Sequence, residues 1–242
     1  MSPVLPAIDI LYVDDDVVVV NKPSGLLVHR GWDNDDDVAL FRVRDAVGQH
    51  VHPVHRLDRG TSGALLFARS SAVAAVLASQ FESGRVDKRY LALVRGSPPD
   101  DGLIDYAIEK KEGGPKVRAV TRFRTVARST VDRCSLVEAF PETGRLHQIR
   151  RHLRHIDHPL VGDVKHGSGV INRHYRATYN LRRLALHAHF MAFEHPARPG
   201  ERVAIEAPMT HDLASAFLAL GLPQGVAPTD DQVPAAPPRA TS

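Results

Sequence analysis

The chain has 242 residues and a mass of 26.6 kDa, with 43% hydrophobic and 24% charged residues and a formal net charge of +3. That composition fills one globular core and excludes a fibrous or wholly disordered protein. No run approaches 18 apolar residues, no basic segment precedes an apolar stretch at the N-terminus, and Cys134 is the single cysteine, so a membrane span, secretion and a disulfide or CxxC zinc framework are not expected and a cytoplasmic location is.

In chain order, Ile8 to Tyr12 and Val17 to Val20 are β-branched runs around three aspartates, a pattern that predicts a hairpin. Asn21 to Gly25 reads as a turn and Trp32 to Asp37 as an acidic loop, followed by a helix over Val38 to Val47. Ala64 to Ala68 reads as a buried strand. Ser70 or Ser71 caps a helix running to about Phe81, and Tyr90 to Val94 is a further strand. Strands near Leu103 to Ala107 and Val117 to Val126 flank a Gly- and Pro-containing loop over Lys110 to Arg118. Ser135 to Phe140 is a strand, and His147 to Ile156 has helical spacing ending before Pro159. Val203 to Ala207 and Leu213 to Leu220 read as a closing strand and helix, and the last 22 residues hold five prolines, a disordered-tail composition. Strands in series mixed with helices predict an α+β domain over residues 8–220 with a largely antiparallel sheet.

Charge is unevenly spread. Between Glu142 and Phe190 nine lysines and arginines stand against three acids, with eight of the 14 histidines, which suggests a polyanionic partner such as nucleic acid or a solvated basic face. Two clusters carry possible chemistry. His55-Arg56-Leu57-Asp58-Arg59-Gly60-Thr61-Ser62-Gly63 sets a carboxylate between two arginines, which suits either a surface ion-pair network or a reactive acid. Glu142 to His152 is a turn entering a donor-rich helix whose Arg150, Arg151 and Arg154 can face phosphates or pair with a buried carboxylate. Histidines 147, 152, 155 and 158 lack metal-ligand spacing, Ser62 is not in a GxSxG elbow, and no GxxxxGK[ST] or GxGxxG loop occurs, so neither metal nor nucleotide cofactor is expected.

Taken together, Asn21-Lys22-Pro23-Ser24-Gly25, His55-Arg56-Leu57-Asp58-Arg59 with Thr61-Ser62-Gly63, Lys88-Arg89-Tyr90 and Thr143-Gly144-Arg145-Leu146-His147-Gln148-Ile149-Arg150 resemble, in order and spacing, the RluA family of pseudouridine synthases over roughly residues 8–220. Val28-His29-Arg30, Arg151 to His155 and Pro159 to Asp163 with Lys165-His166-Gly167 look like the branch whose members modify uridine 65 of tRNA. The resemblance implies a bent, mainly antiparallel mixed sheet flanked by helices, without the added S4 domain of some members.

The chemistry it implies is a redox-neutral isomerisation that detaches uracil from C1′, rotates it and rejoins it through C5, with no cofactor. By resemblance Asp58 is the catalytic carboxylate, as nucleophile or base, Arg150 its paired arginine, and Tyr90 the ring that stacks on the target base. Arg56 would fill the space left by the flipped base. Lys22, His29, Arg30, Arg145, His147, Arg151 and Arg154 are expected in the RNA groove, and the partner is expected to be tRNA, bound by a monomer. A synthase acting on ribosomal RNA and a non-catalytic RNA-binding protein are the alternatives.

Overall fold

The computed structural model describes residues 7–30, 36–110 and 113–225; the Pro-rich stretch from 226 and much of the acidic segment before Val38 lie outside them. Among the described residues the strands are β1 (Asp9–Val13), β2 (Val17–Lys22), β3 (His52–Pro53), β4 (Ser62–Ala68), β5 (Asp87–Arg95), β6 (Asp101–Asp105), β7 (Ile108–Glu109), β8 (Lys116–Val117), β9 (Val120–Arg128), β10 (Cys134–Pro141), β11 (Leu186–Glu194) and β12 (Arg202–Glu206). The helices are α1 (Ala39–Val47), α2 (Ser71–Glu82), α3 (Gln148–His155), α4 (Gly169–Tyr179) and α5 (His211–Ala219). No helix among the described residues is long and apolar enough to cross a membrane.

Ten strands form one sheet in the order β1-β2-β4-β11-β5-β10-β9-β6, with β3 added to β4 and β12 to β11, while β7 and β8 pair separately. The β4–β11 pairing is parallel, His187 opposite Ser62 and Ala188 opposite Gly63, and the other pairings between these strands are antiparallel. The α+β expectation therefore holds. At β11 the neighbour changes from β4 to β12, and the register against β5 shifts between Ala188 and Phe190.

Alternation of side chains divides the core into quarters. On one face Val18, Val20, Leu65 and Phe67 pack under α1 through Ala39 and Val43, and Ala92, Val94, Val137 and Leu186 pack under α3 through Ile149 and Leu153. On the other face Val17, Val19, Ala64 and Leu66 meet α2 at Leu77, and Leu91, Leu93 and Leu136 meet α4 and α5 at Tyr175 and Phe217. Tyr90 touches both clusters of the first face, so its ring stands at the seam between α1 and α3.

α4 and β11, like the short strands β3, β7 and β8, were not expected. α4 buries Tyr175 alone, too little for a helical apolar stripe to be visible in the sequence. β11 carries His187 and His189 inside its apolar run and is mostly buried on both faces, which hides the alternation that marks a half-buried strand. The loop expected over Lys110 to Arg118 instead contains β8, whose Lys116 and Val117 pair with Glu109 and Ile108 of β7; residues 111 and 112 lie outside the described residues.

Candidate active site

Asp58 lies in the loop between β3 and β4, in a turn closed by the Thr61 amide donating to its carbonyl at 3.0 Å. The Asn21-to-Gly25 segment clamps the backbone just after it. The Gly25 amide donates to the Arg59 carbonyl at 2.8 Å, Ser24 Oγ to the Gly60 carbonyl at 2.8 Å, and Lys22 Nζ to the carbonyls of Pro23, Leu26 and Arg59 at 2.9, 2.7 and 3.3 Å. Lys22 is therefore wholly buried and faces inward, not into an RNA groove as expected. Burial pulls its ammonium down to about 7, with Arg183 adding to that and Asp58 opposing it, while the three carbonyls favour the charged form.

The second cluster is organised by Gln148. Its Oε1 accepts from Thr143 Oγ1 at 2.6 Å and the Arg145 amide at 3.0 Å, and its Nε2 donates to the Val120 carbonyl and Thr121 Oγ1. Those four bonds fix the turn ahead of α3 and leave His147 at its N-cap in the left-handed region, φ 54°. One turn further on, Arg150 points back at the Asp58 loop. Its Nη1 donates to Asp58 Oδ2 at 3.0 Å, while Nε and Nη2 form a fork on Asp163 Oδ2 and Oδ1, both at 2.8 Å. Burial works against the Arg150 charge, yet the two carboxylates hold its pKa above the ordinary value. Asp163, buried, is held below the usual carboxylate range despite its burial, by Arg150 and by the amides of Lys165 and His166 on Oδ1.

The cleft has two lobes that share Arg56, Asp58, His147 and Arg150. The first, about 600 Å³, adds Tyr90, Lys88 and Leu146. The second, about 850 Å³, adds Ser24, Arg59, Val164 and Arg182. Tyr90 is half-buried on β5, and burial, helped by Asp58, raises its phenol above its ordinary range, so the ring is neutral at pH 7. Arg56 is exposed at the junction, and Arg145 lines the first lobe with Nε on the Arg118 carbonyl at 3.2 Å.

The other expected groove residues scatter. Arg151 Nη1 donates to the Glu109 carbonyl at 3.1 Å, tying α3 to β7, and Arg154 is exposed on α3. His29 and Arg30 are exposed outside the lobes, with Arg30 paired to Asp36 at 2.5 Å. Of the four histidines weighed for metal, His152 bonds Thr121 and Tyr106, His155 stacks on Tyr106 and His158 bonds the Arg95 carbonyl. They belong to no grouping close enough to hold a cation among the described residues. The one grouping of carboxylates and imidazole close enough for a cation among the described residues, Asp14, Asp16 and His195, also has Arg198 Nη2 at 2.6 Å from Asp14, an arginine where a metal would sit.

Asp163 and His166 lie in the quoted motifs, but nothing in the sequence marks a role for either. A buried carboxylate 13 positions from its arginine leaves no periodic signal. Lys88 was also passed over. It is half-buried in the Tyr90 lobe, where desolvation lowers its ammonium against the opposing pull of Asp87.

A carboxylate locked by a buried arginine and faced by an aromatic ring is accompanied by a direct family match. The model for "RNA pseudouridylate synthase" matches residues 16–155, which holds Asp58, Tyr90 and Arg150. The chain belongs to the RNA pseudouridylate synthase family. It is 40% identical over 247 aligned positions to the tRNA pseudouridine synthase C of Salmonella typhimurium, covering 93% of this chain and 94% of that one. Similarity to the enzyme of the same name from Haemophilus ducreyi is 42%, over 78% and 86% of the two chains. For that of Pectobacterium carotovorum it is 43%, over 83% of this chain but 58% of the relative. Among solved structures, Human RNA Pseudouridylate Synthase Domain Containing 4 superposes with a TM-score of 0.72 at 27% identity, covering 88% of this chain and 93% of that one. As a pseudouridine synthase the chain is an isomerase.

Proposed function

We propose that this synthase converts uridine 65 of tRNA to pseudouridine, with Asp58 as the catalytic carboxylate. The observation that carries the chemistry is the 3.0 Å contact from Arg150 to Asp58 in a cleft faced by Tyr90. The substrate reading rests on the relatives named for tRNA and on the quoted branch motifs.

A paired uridine has to leave its helix to reach Asp58, at a cost of a few kcal/mol. Stacking on Tyr90 offsets about 1–3 kcal/mol of it, and Arg56, exposed at the junction of the lobes, is placed to occupy the vacated space. Arg150 keeps Asp58 Oδ2 engaged at 3.0 Å, and Asp58 lines both lobes of the cleft. The neutral Tyr90 phenol suits stacking, and removing the C5 proton directly would need a phenolate, so Asp58 is the better acceptor for that proton. Arg145, Arg154 and Arg182 supply phosphate contacts that position RNA without reading its sequence.

The test is release of tritium from tRNA transcripts labelled at uridine C5, since rejoining through C5 expels that hydrogen. Wild-type protein should release one equivalent from a transcript with U65 and none attributable to that site when position 65 is cytidine. Asp58→Asn should bind the transcript with similar affinity and release nothing. Equal release from the C65 transcript, or release only from ribosomal RNA, would move the substrate elsewhere, and full turnover by Asp58→Asn would remove Asp58 from the chemistry.

A further inference from the structure

Two histidines stand in line behind the Asp58 carboxylate. His147 Nε2 is 3.9 Å from Asp58 Oδ2, and His147 Nδ1 is 3.0 Å from Nε2 of His166. Neither position is accidental to the backbone. His147 is held in a left-handed conformation by the Gln148 bonds, a placement a non-glycine residue adopts at some cost. The His166 amide donates to Asp163, the same carboxylate that grips Arg150.

The geometry selects a tautomer. Burial keeps both imidazoles below their ordinary value, His147 at about 4, so both are neutral at pH 7 and one proton lies between Nδ1 of His147 and Nε2 of His166. If His147 Nδ1 held it, the Nε2 lone pair of His147 would face the carboxylate. If His166 Nε2 holds it, His147 carries its proton on Nε2 and presents an N–H to Asp58. The second arrangement is the attractive one. At 3.9 Å this N–H is too far to bond the carboxylate itself. The separation leaves room for a third atom within hydrogen-bond reach of both, one that accepts from N–H and donates to a carboxylate, which is the character of a hydroxyl.

We propose that His147 is a substrate-contacting residue whose Nε2–H binds a ribose hydroxyl of the target nucleotide beside Asp58, and that His166 is the positioning residue that fixes this tautomer. The proposal rests on the pseudouridine synthase reading of the cleft. It assigns no proton transfer to the pair; the histidines orient the sugar while Asp58 acts.

Long-range ¹⁵N–¹H spectra of the full, imidazole-labelled protein test the tautomer without turnover, and wild type should show His147 protonated on Nε2. His166→Ala should mix the tautomers, and His166→Gln, whose side-chain amide can donate to Nδ1, should restore the wild-type pattern. With U65 transcript, His147→Phe should lower kcat by about 100-fold, the usual loss for one preorganised donor, with the Kd for RNA within about twofold. His166→Ala should lower kcat in the same direction by less, and His166→Gln should recover it. Thermal unfolding and RNA binding identify any variant that has lost its fold, and the wild-type spectrum then decides alone. A His147 protonated on Nδ1, or a folded His147→Phe with kcat near wild type, overturns the proposal. An inactive wild type with the Nε2–H tautomer would instead overturn the function.

Discussion

At the scale of single residues, Arg150 is the pivot and Asp163 its anchor. Two of the three Arg150 nitrogens are spent on Asp163, and the third reaches Asp58. Replacing Asp163 with asparagine keeps the shape but removes the charge that holds a buried guanidinium, and breaking such a pair costs about 3–5 kcal/mol. Part of that cost falls on turnover, because Arg150 is then drawn fully onto Asp58 and ties up the oxygen the reaction needs. Asp163→Asn should therefore lower both the unfolding free energy by urea titration and kcat on U65 transcript, while Kd for RNA changes little. An unchanged kcat in a folded protein would show that Asp58 needs no second carboxylate behind its arginine. The loss of Lys22 from the groove has the same lesson. In sequence it is a cation beside a turn, and in the fold it is a buried donor stitching three carbonyls around the Asp58 loop.

Among elements, the parallel contact between β4 and β11 sets the depth of the cleft, because it brings the chain that follows Asp58 against the strand next to Tyr90. Gly63 makes it possible. It sits at φ +110°, and a Cβ there would lie 2.2 Å from the Ala188 carbonyl oxygen, inside the backbone of β11. Gly63→Ala should thus separate the strands, and a destabilisation of roughly 1–3 kcal/mol is the minimum expected from overpacking, with a larger loss of activity than of RNA binding. A variant as stable and active as wild type would mean the pairing relaxes without cost. The hairpin and α2 with its Ser70 cap were legible because each has a local signature, a turn or a capping oxygen. β11 was not legible. Its His187 is buried for reasons outside the strand: it bonds Ser62 Oγ at 2.8 Å and the Ala207 carbonyl at 3.0 Å. The same holds for the candidate site. Asp58, Tyr90 and Arg150 were found through motif resemblance, and the Asp163 and His166 support emerges only when the loop after α3 folds back onto them.

Across the whole molecule, the basic bias of residues 142–190 divides into structure and surface. Arg150 and Arg183 are drawn inside, Arg183 bonding Ser62 Oγ at 2.7 Å, and Arg154 and Arg182 stay exposed. Histidine use follows the same division and sets the response to acid. His55 is held at about 3, mainly by burial with Lys88 adding to it, and His147 and His187 at about 4, again chiefly by burial. In the unfolded chain each would titrate near 6.5. Between those values the unfolded state binds the proton and the folded state does not, so stability rises with pH and is lost as pH falls from about 6.5 toward 4. Each group contributes up to about 1.4 kcal/mol per pH unit, roughly 4 kcal/mol per unit for the three. Depressed carboxylates act lower on the scale: Asp14, at about 2 with Tyr12, His195 and two amides bonding it against its burial, gives up its contribution only as pH falls from about 4 through 2. Urea titrations at pH 7, 6 and 5 should therefore show the unfolding free energy falling before any carboxylate titrates. His55→Gln, whose amide oxygen can accept from the Leu66 amide in place of Nε2, should remove about a third of that slope. A free energy that stays flat from pH 7 to 5 would mean the buried imidazoles take up protons without unfolding the protein.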